Sequence, residues 1–333
     1  MGDDPLPGQR FARESAAVFD RSYRGLVDLS GGPKPVGDFL HGIFSSHVKS
    51  LEPGKGQASS FLSAKGRLIA AFGLHALAGG RYRMAFLEPL DDTVLKPLGK
   101  YCFLSDVTIE DLGPILGTLS VEGPEAARAL RLAGIEAGLP ASSLASMRAE
   151  LSGAAVTIIR AGETPAGGFD IWVERAALDR VREALVEAAR LAGGGPADID
   201  AAEALRIEAG IAHRGKDYDT DEAFPAEVGW EHALTYDKCY VGQEVVARMR
   251  TYGHANRRLK GLLFAPGEDP PIPGTRILSG GEDVGRIGSS AFSERLGRAV
   301  ALGMVHRKAW SAGKVMAGED PSREAEVRDL PLA

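Results

Sequence analysis

Two hydrophobic periods alternate along the chain. An apolar run at residues 25–30 precedes Phe39, Leu40, Ile43 and Phe44, which recur at helical spacing within 39–48, so a strand feeding a helix is predicted. Residues 60–77 (SFLSAKGRLIAAFGLHAL) read as a hairpin turned at Lys65-Gly66, and a strand follows at 82–87. Further strands are predicted at 102–109 and 116–121, then a helix opening at Gly123-Pro124, where proline suits a first turn. After strands at 154–160 and 169–173 comes the clearest helix, 176–192. Its residues Leu178, Val181, Leu185 and Ala189 share one stripe, and Gly193 to Gly195 end it. Asp200, with Glu203 at the third helical position, is expected to cap a helix carrying Leu205, Arg206 and Glu208 that Gly210 closes. Beyond residue 256 the pattern changes to short apolar runs at 259–264, 275–278, 284–290 and 299–305, separated by Gly and Pro. That pattern predicts a small β-barrel or sandwich, with a boundary near Ala255.

At 333 residues the chain is long enough for two or three domains, each with its own core. Its two cysteines, Cys102 and Cys239, stand far apart and in no paired motif. This points to a reducing, cytoplasmic setting and excludes a cysteine-built zinc cluster. The first residues, MGDDPLPGQRFARES, have no apolar segment of the signal-peptide kind, and Leu6 stands where a myristoylation signal has Ser or Thr. No run approaches the roughly 18 apolar residues of a membrane span. A net charge of -6 argues against a general DNA or RNA binder. Asp217, Asp219 and Asp221 mimic the start of a calcium loop, but Glu222 replaces its glycine and Val228 its final glutamate, so an exposed loop is expected. The three tryptophans, Trp172, Trp230 and Trp310, are expected to pack in cores.

The stretch richest in candidate chemistry is Lys238-Cys239-Tyr240-Val241-Gly242-Gln243-Glu244. A thiol beside an ammonium favours thiolate and suits a nucleophile or soft-metal ligand, whereas a lone cysteine is as often a small buried hydrophobe. The string KCYVGQE resembles the K-G-C-Y-x-G-Q-E signature of the folate-binding YgfZ family, relatives of the glycine-cleavage aminomethyltransferase that serve iron–sulfur cluster assembly and tRNA modification. RIEAGI (206–211), VARMRTYGHANRRL (246–259), SAKGRLIA (63–70), LSDVTIED (104–111) and VEGPEA (121–126) are similar to the same family. The family's glycine before the cysteine is absent, since Lys238 abuts Cys239.

The resemblance implies an α+β fold: a three-lobed ring of two ferredoxin-like lobes and a C-terminal β-barrel. The lobes would comprise residues 1–47 with 113–198 and 48–112 with 199–255, and the barrel 256–333. Tetrahydrofolate or another reduced folate would lie centrally. Arg206 and Asp170 correspond to superfamily positions at the folate, where a carboxylate takes the N–H edge of a pterin and an arginine clamps the glutamate tail. Tyr240, Gly242, Gln243 and Arg248 belong to the same binding stretch, and Cys239 with Lys238 would carry the chemistry toward an iron–sulfur client or assembly protein. Between Val245 and Gly267 there is no acid, while Arg248, Arg250, Arg257, Arg258 and Lys260 supply five positive charges with Tyr252 and His254 among them. That strip suits a folate polyglutamate tail or the phosphates of an RNA, or is simply a solvated face.

Two absences separate the possible functions. Aminomethyltransferases carry an acidic pair in a GG-x-x-DD hairpin, where this chain has KGRLIAA with Ala70 and Ala71; the superfamily's TGE is here Thr164-Pro165-Ala166. Removing a placed carboxylate takes away about 10²- to 10⁴-fold of proton-transfer catalysis. An accessory role with bound folate is therefore expected first, an aminomethyltransferase second, and a binding module with a structural cysteine third.

Overall fold

The computed structural model describes residues 7–32, 35–136, 138–164, 166–253, 255–318 and 322–332; Leu6, Pro165 and His254, singled out above, lie outside them. Three sheets organise the chain. The first has six strands in the order Gly195–Pro196, Ala17–Asp20, Leu116–Glu122, Gly168–Glu174, Ala154–Ala161, Ser146–Leu151. Its core is closed by helices Ala126–Leu132 and Leu178–Leu191, the latter burying Val181, Leu185 and Ala189 along the stripe expected for it. Gly193 ends that helix with a positive φ (+89°), a conformation that costs glycine little.

The second sheet runs Gly56–Leu62, Leu68–Ala76, Tyr82–Ala85, Leu26–Ser30, Thr108–Asp111, under helices Val36–Ile43 and Asp92–Phe103. Leu26–Ser30 and Val36–Ile43, inside the segment expected in the first lobe, belong to this one. Cys102 is not on the predicted strand 102–109 but in helix Asp92–Phe103, and the strand begins at Thr108. Val94, Leu98 and Cys102 fall four residues apart on the buried face, and Asp91 caps the helix by accepting the Thr93 N–H. Pro97 inside the helix obscures that pattern in the sequence. The cap of helix Ile199–Ala209 is likewise Asp198, which accepts from the Ala201 N–H at 2.8 Å, with Asp200 in the first turn.

The third sheet is a closed barrel in the order Arg257–Phe264, Arg298–His306, Glu282–Ser293, Arg276–Ser279, Lys314–Ala317, Arg323–Arg328. Its last two strands have no clear signal in the sequence. Along REAEVR only Ala325 is buried, yet Leu262 pairs with Val327 and closes the barrel. The fold is thus α+β: two sheet-and-helix lobes followed by a closed six-stranded barrel.

Among the described residues no helix is long and apolar enough to cross a membrane.

Candidate functional site

A cavity of about 1010 Å³ is lined by residues of both the first and the second sheet. The first sheet contributes Arg160, Asp170 and Trp172, the second Phe72, Gly73 and His75, and the segment 230–235 forms a further wall with Trp230, Leu234 and Thr235. Size, aromatic faces and a few convergent polar groups are the properties of a small-molecule site.

One wall is charged. Arg24 is 6 % exposed and pairs with Glu163, and its other guanidinium nitrogen lies 3.6 Å from Asp170. Behind it the fully buried Arg21 meets Glu122 at 2.6 Å and Glu163 at 3.2 Å. Burial alone would raise the Glu163 carboxyl, but Arg21 and Arg24 outweigh it and hold it down at about 2. Glu122 moves the other way: burial, together with Glu163 and Asp170, raises it more than Arg21 and Arg24 lower it. Asp170 accepts a 2.5 Å hydrogen bond from the Ser120 hydroxyl. Arg160 stacks on Phe169 with its guanidinium 4.9 Å from the ring centroid and has no ion pair among the described residues. The expected loss of acid at 164–166 is thus accompanied by a carboxylate one residue earlier, Glu163. No sequence signal marks Arg21, Arg24, Glu163 or Arg160, because their partners come from distant strands.

The floor is ordered through Trp172. His75 meets its edge at 5.0 Å between centroids, and Arg83, held by Asp28 at 2.6 and 3.0 Å, lies 5.0 Å from the ring. Burial, reinforced by Arg83, lowers His75 to about 4. The native imidazole therefore stays neutral between about 4 and 6.5, where that of the unfolded chain takes up a proton. Stability then falls with decreasing pH across that window, by about 1.4 kcal/mol per pH unit for this group. His75→Gln is expected to remove that increment, measured as the difference between urea unfolding free energies at pH 5 and pH 6.5; an unchanged difference contradicts it.

Of the residues nominated by the sequence, Asp170 alone lines this cavity. Arg206 is 1 % exposed and donates to Glu203 (2.6 and 3.0 Å), Asp217 (2.8 Å), Ser289 (2.6 Å) and the Ile211 carbonyl (2.5 Å). It ties its helix to the barrel and fixes Ile211, which does line the cavity. Asp217, expected in an exposed loop, is buried as its partner. Lys238 donates to the carbonyls of His41 and Phe44, both at 2.5 Å, at the end of helix Val36–Ile43. Burial lowers its ammonium to about 8, with Asp237 and Cys239 opposing.

Cys239 is exposed while Tyr240 is buried. Gly242 has φ +80°, and a Cβ there would lie 2.4 Å from the Ser63 carbonyl, so KCYVGQE is pressed against the hairpin turn of SAKGRLIA. Gln243 opens helix Gln243–Tyr252, and Arg248 is exposed and paired with Glu244 at 2.9 Å. The loop is linked to the cavity's rim by Asp237, which bonds His47 at 2.7 Å; His47 lines the cavity.

Residues 9–238 match the GCVT N-terminal domain, and residues 257–332 match the glycine cleavage T-protein C-terminal barrel domain. The chain belongs to the glycine-cleavage T-protein superfamily. It is 29% identical over 306 residues to the aminomethyltransferase of Thermus thermophilus, covering 89% of this chain and 81% of that one. Against the aminomethyltransferase of Thermotoga maritima it is 26% identical over 296 residues, with 89% and 79% covered. The fold is that of the glycine cleavage system aminomethyltransferase T from Bartonella henselae, with a TM-score of 0.82, 22% identity and 98% and 89% of the two chains covered.

Within this T-protein fold, the hairpin has Ala70 fully buried opposite Phe61, and Ala71 opposite Ser60. Trp172 and Trp230, expected only to pack, also line the T-protein cavity, and Trp310 lines a second cleft.

Proposed function

We propose that this T-protein relative holds a reduced folate in the central cavity and acts as an accessory factor for iron–sulfur clusters and the tRNA modifications that depend on them, with Cys239 as its working thiol. The observation that carries this reading is a mismatch. The cavity has a lining that suits a folate: the Asp170 carboxylate for the pterin's N–H edge, Trp172 and Trp230 for its ring, and Arg160 for the glutamate carboxylate. The hairpin offers Ala70 and Ala71 where one-carbon transfer asks for acids, and Glu163, held near 2, has no proton to give at neutral pH. Bound folate would supply a one-carbon carrier; the protein's own groups bind and orient it.

Cys239 supports the rest of the reading because it is exposed, on a loop that Lys238, Tyr240 and Gly242 anchor. No group of three or more His, Cys, Asp or Glu among the described residues could hold a metal, so iron bound at Cys239 would take its other ligands from a client. Cys239→Ser is expected to change stability by less than about 0.5 kcal/mol. The same variant is expected to fail to restore iron–sulfur enzyme activity in cells lacking the protein; full rescue would remove the thiol from the account.

A second reading, a folate-dependent aminomethyltransferase, is favoured by the names of the relatives at 26 to 29% identity. A reconstituted glycine-cleavage assay separates the two. Methylene-tetrahydrofolate formed from aminomethylated carrier protein would promote this reading over the first.

A further inference from the structure

A second cleft, of about 800 Å³, lies between helix Gln243–Tyr252 and the barrel. Arg250, Arg258, Arg307 and Lys308 line it against one carboxylate, Glu231. This is a concentration of positive charge in a chain whose net charge is -6. Lys308 pairs with Glu282 at 3.1 Å, but the three arginines have no ion pair among the described residues. Two are braced by rings instead. The Arg250 guanidinium lies 4.3 Å from the Tyr236 centroid, and that of Arg258 lies 5.4 Å from the Trp310 centroid. A guanidinium over a ring loses freedom while its in-plane N–H donors stay available, a preorganised fork for carboxylate or phosphate.

The rest of the basic strip seen in the sequence is neutralised. Arg248 pairs with Glu244, Arg257 with Glu227 at 3.3 Å, and Lys260 with Asp329. The unpaired charge is confined to the cleft rather than running along a face, which suits a short polyanion better than a nucleic-acid strand. The cleft also adjoins the central cavity. Within 231–236, His232, Ala233 and Thr235 line the cavity, Glu231 and Tyr236 the cleft, and Leu234 both.

We propose that this cleft takes the oligo-γ-glutamyl tail of the folate whose pterin occupies the central cavity, with Arg250 and Arg258 binding its carboxylates. The proposal rests on the folate reading. Each γ-linked glutamate exceeds the ~3.6 Å reach of an α-linked residue, so a tail of three residues already reaches beyond ~10 Å, and Leu234 is common to the linings of cavity and cleft. Tethering to the pterin then makes its capture by the cleft intramolecular.

The test is calorimetric titration of the full chain and of R250A/R258A with tetrahydrofolate monoglutamate, its pentaglutamate, and free penta-γ-glutamate. The pentaglutamate is expected to bind the wild type at least about tenfold more tightly than the monoglutamate. That advantage is expected to vanish in the double variant while monoglutamate affinity stays within about twofold. Equal affinities in the wild type, or an advantage that survives R250A/R258A, overturns the proposal. So does a short single-stranded RNA held by the cleft when penta-γ-glutamate is not. If the monoglutamate fails to bind but free penta-γ-glutamate binds the wild type and not the variant, the folate reading falls and the cleft's oligoglutamate specificity stands.

Discussion

Arg206→Ala is expected to cost about 3–5 kcal/mol of stability, because it leaves Asp217 and Glu203 facing a void that a guanidinium had filled. Asp217 is buried and would retain only the His213 N–H at 2.9 Å and the Ser289 hydroxyl at 2.7 Å. Ser289 belongs to the barrel, so the same change loosens the barrel's attachment to helix Ile199–Ala209. Arg206→Lys is not expected to rescue it. One ammonium has three donors, whereas Arg206 serves four acceptor groups with a planar fork. Urea unfolding with separate probes for the barrel and the lobes measures both effects. A loss below about 1 kcal/mol contradicts the structural role, and a large loss of folate affinity in a stably folded variant would restore Arg206 to the binding site.

Arg206 also marks where sequence reasoning stops. RIEAGI points to the T-protein superfamily, which the domain matches bear out, and to a helix with a glycine stop, which is present, since Gly210 closes Ile199–Ala209 with φ +74°. The motif does not reveal which way the guanidinium points. That depends on Asp217 and Ser289, 11 and 83 residues away, on a loop and a barrel strand that only the folded chain brings near. Local periodicity likewise makes helix Leu178–Leu191 and the 60–77 hairpin legible, because their apolar faces repeat at fixed spacing. It fails for Asp92–Phe103, interrupted by Pro97, and for Arg323–Arg328, whose short barrel strand buries a single alanine. The cavity was legible only at Asp170. Its charged wall joins Arg24 and Glu163, 139 residues apart, and no spacing rule reports such a pair.

Asp170→Ala is expected to produce the other large effect, on binding rather than on folding. Its carboxylate sits at the cavity, 17% exposed, with one oxygen accepting from Ser120 and the other 3.6 Å from Arg24. A pterin bound there would exchange water for a charge-assisted hydrogen bond, worth about 1.5–3 kcal/mol. Its loss is expected to weaken tetrahydrofolate binding by roughly 10- to 100-fold. Arg24 keeps Glu163 as a partner in the variant, so the fold is expected to survive. A structural role alone would lower stability and leave the affinity of the folded fraction unchanged.

Isothermal titration of the wild-type chain with tetrahydrofolate, run beside Asp170→Ala and read again as a shift in melting temperature, decides whether the cavity between the two sheets binds a reduced folate. One site per chain at micromolar affinity is expected, with a rise in melting temperature with folate concentration as linkage requires, and both effects weakened in Asp170→Ala. No heat and no shift in melting temperature at millimolar tetrahydrofolate would contradict it.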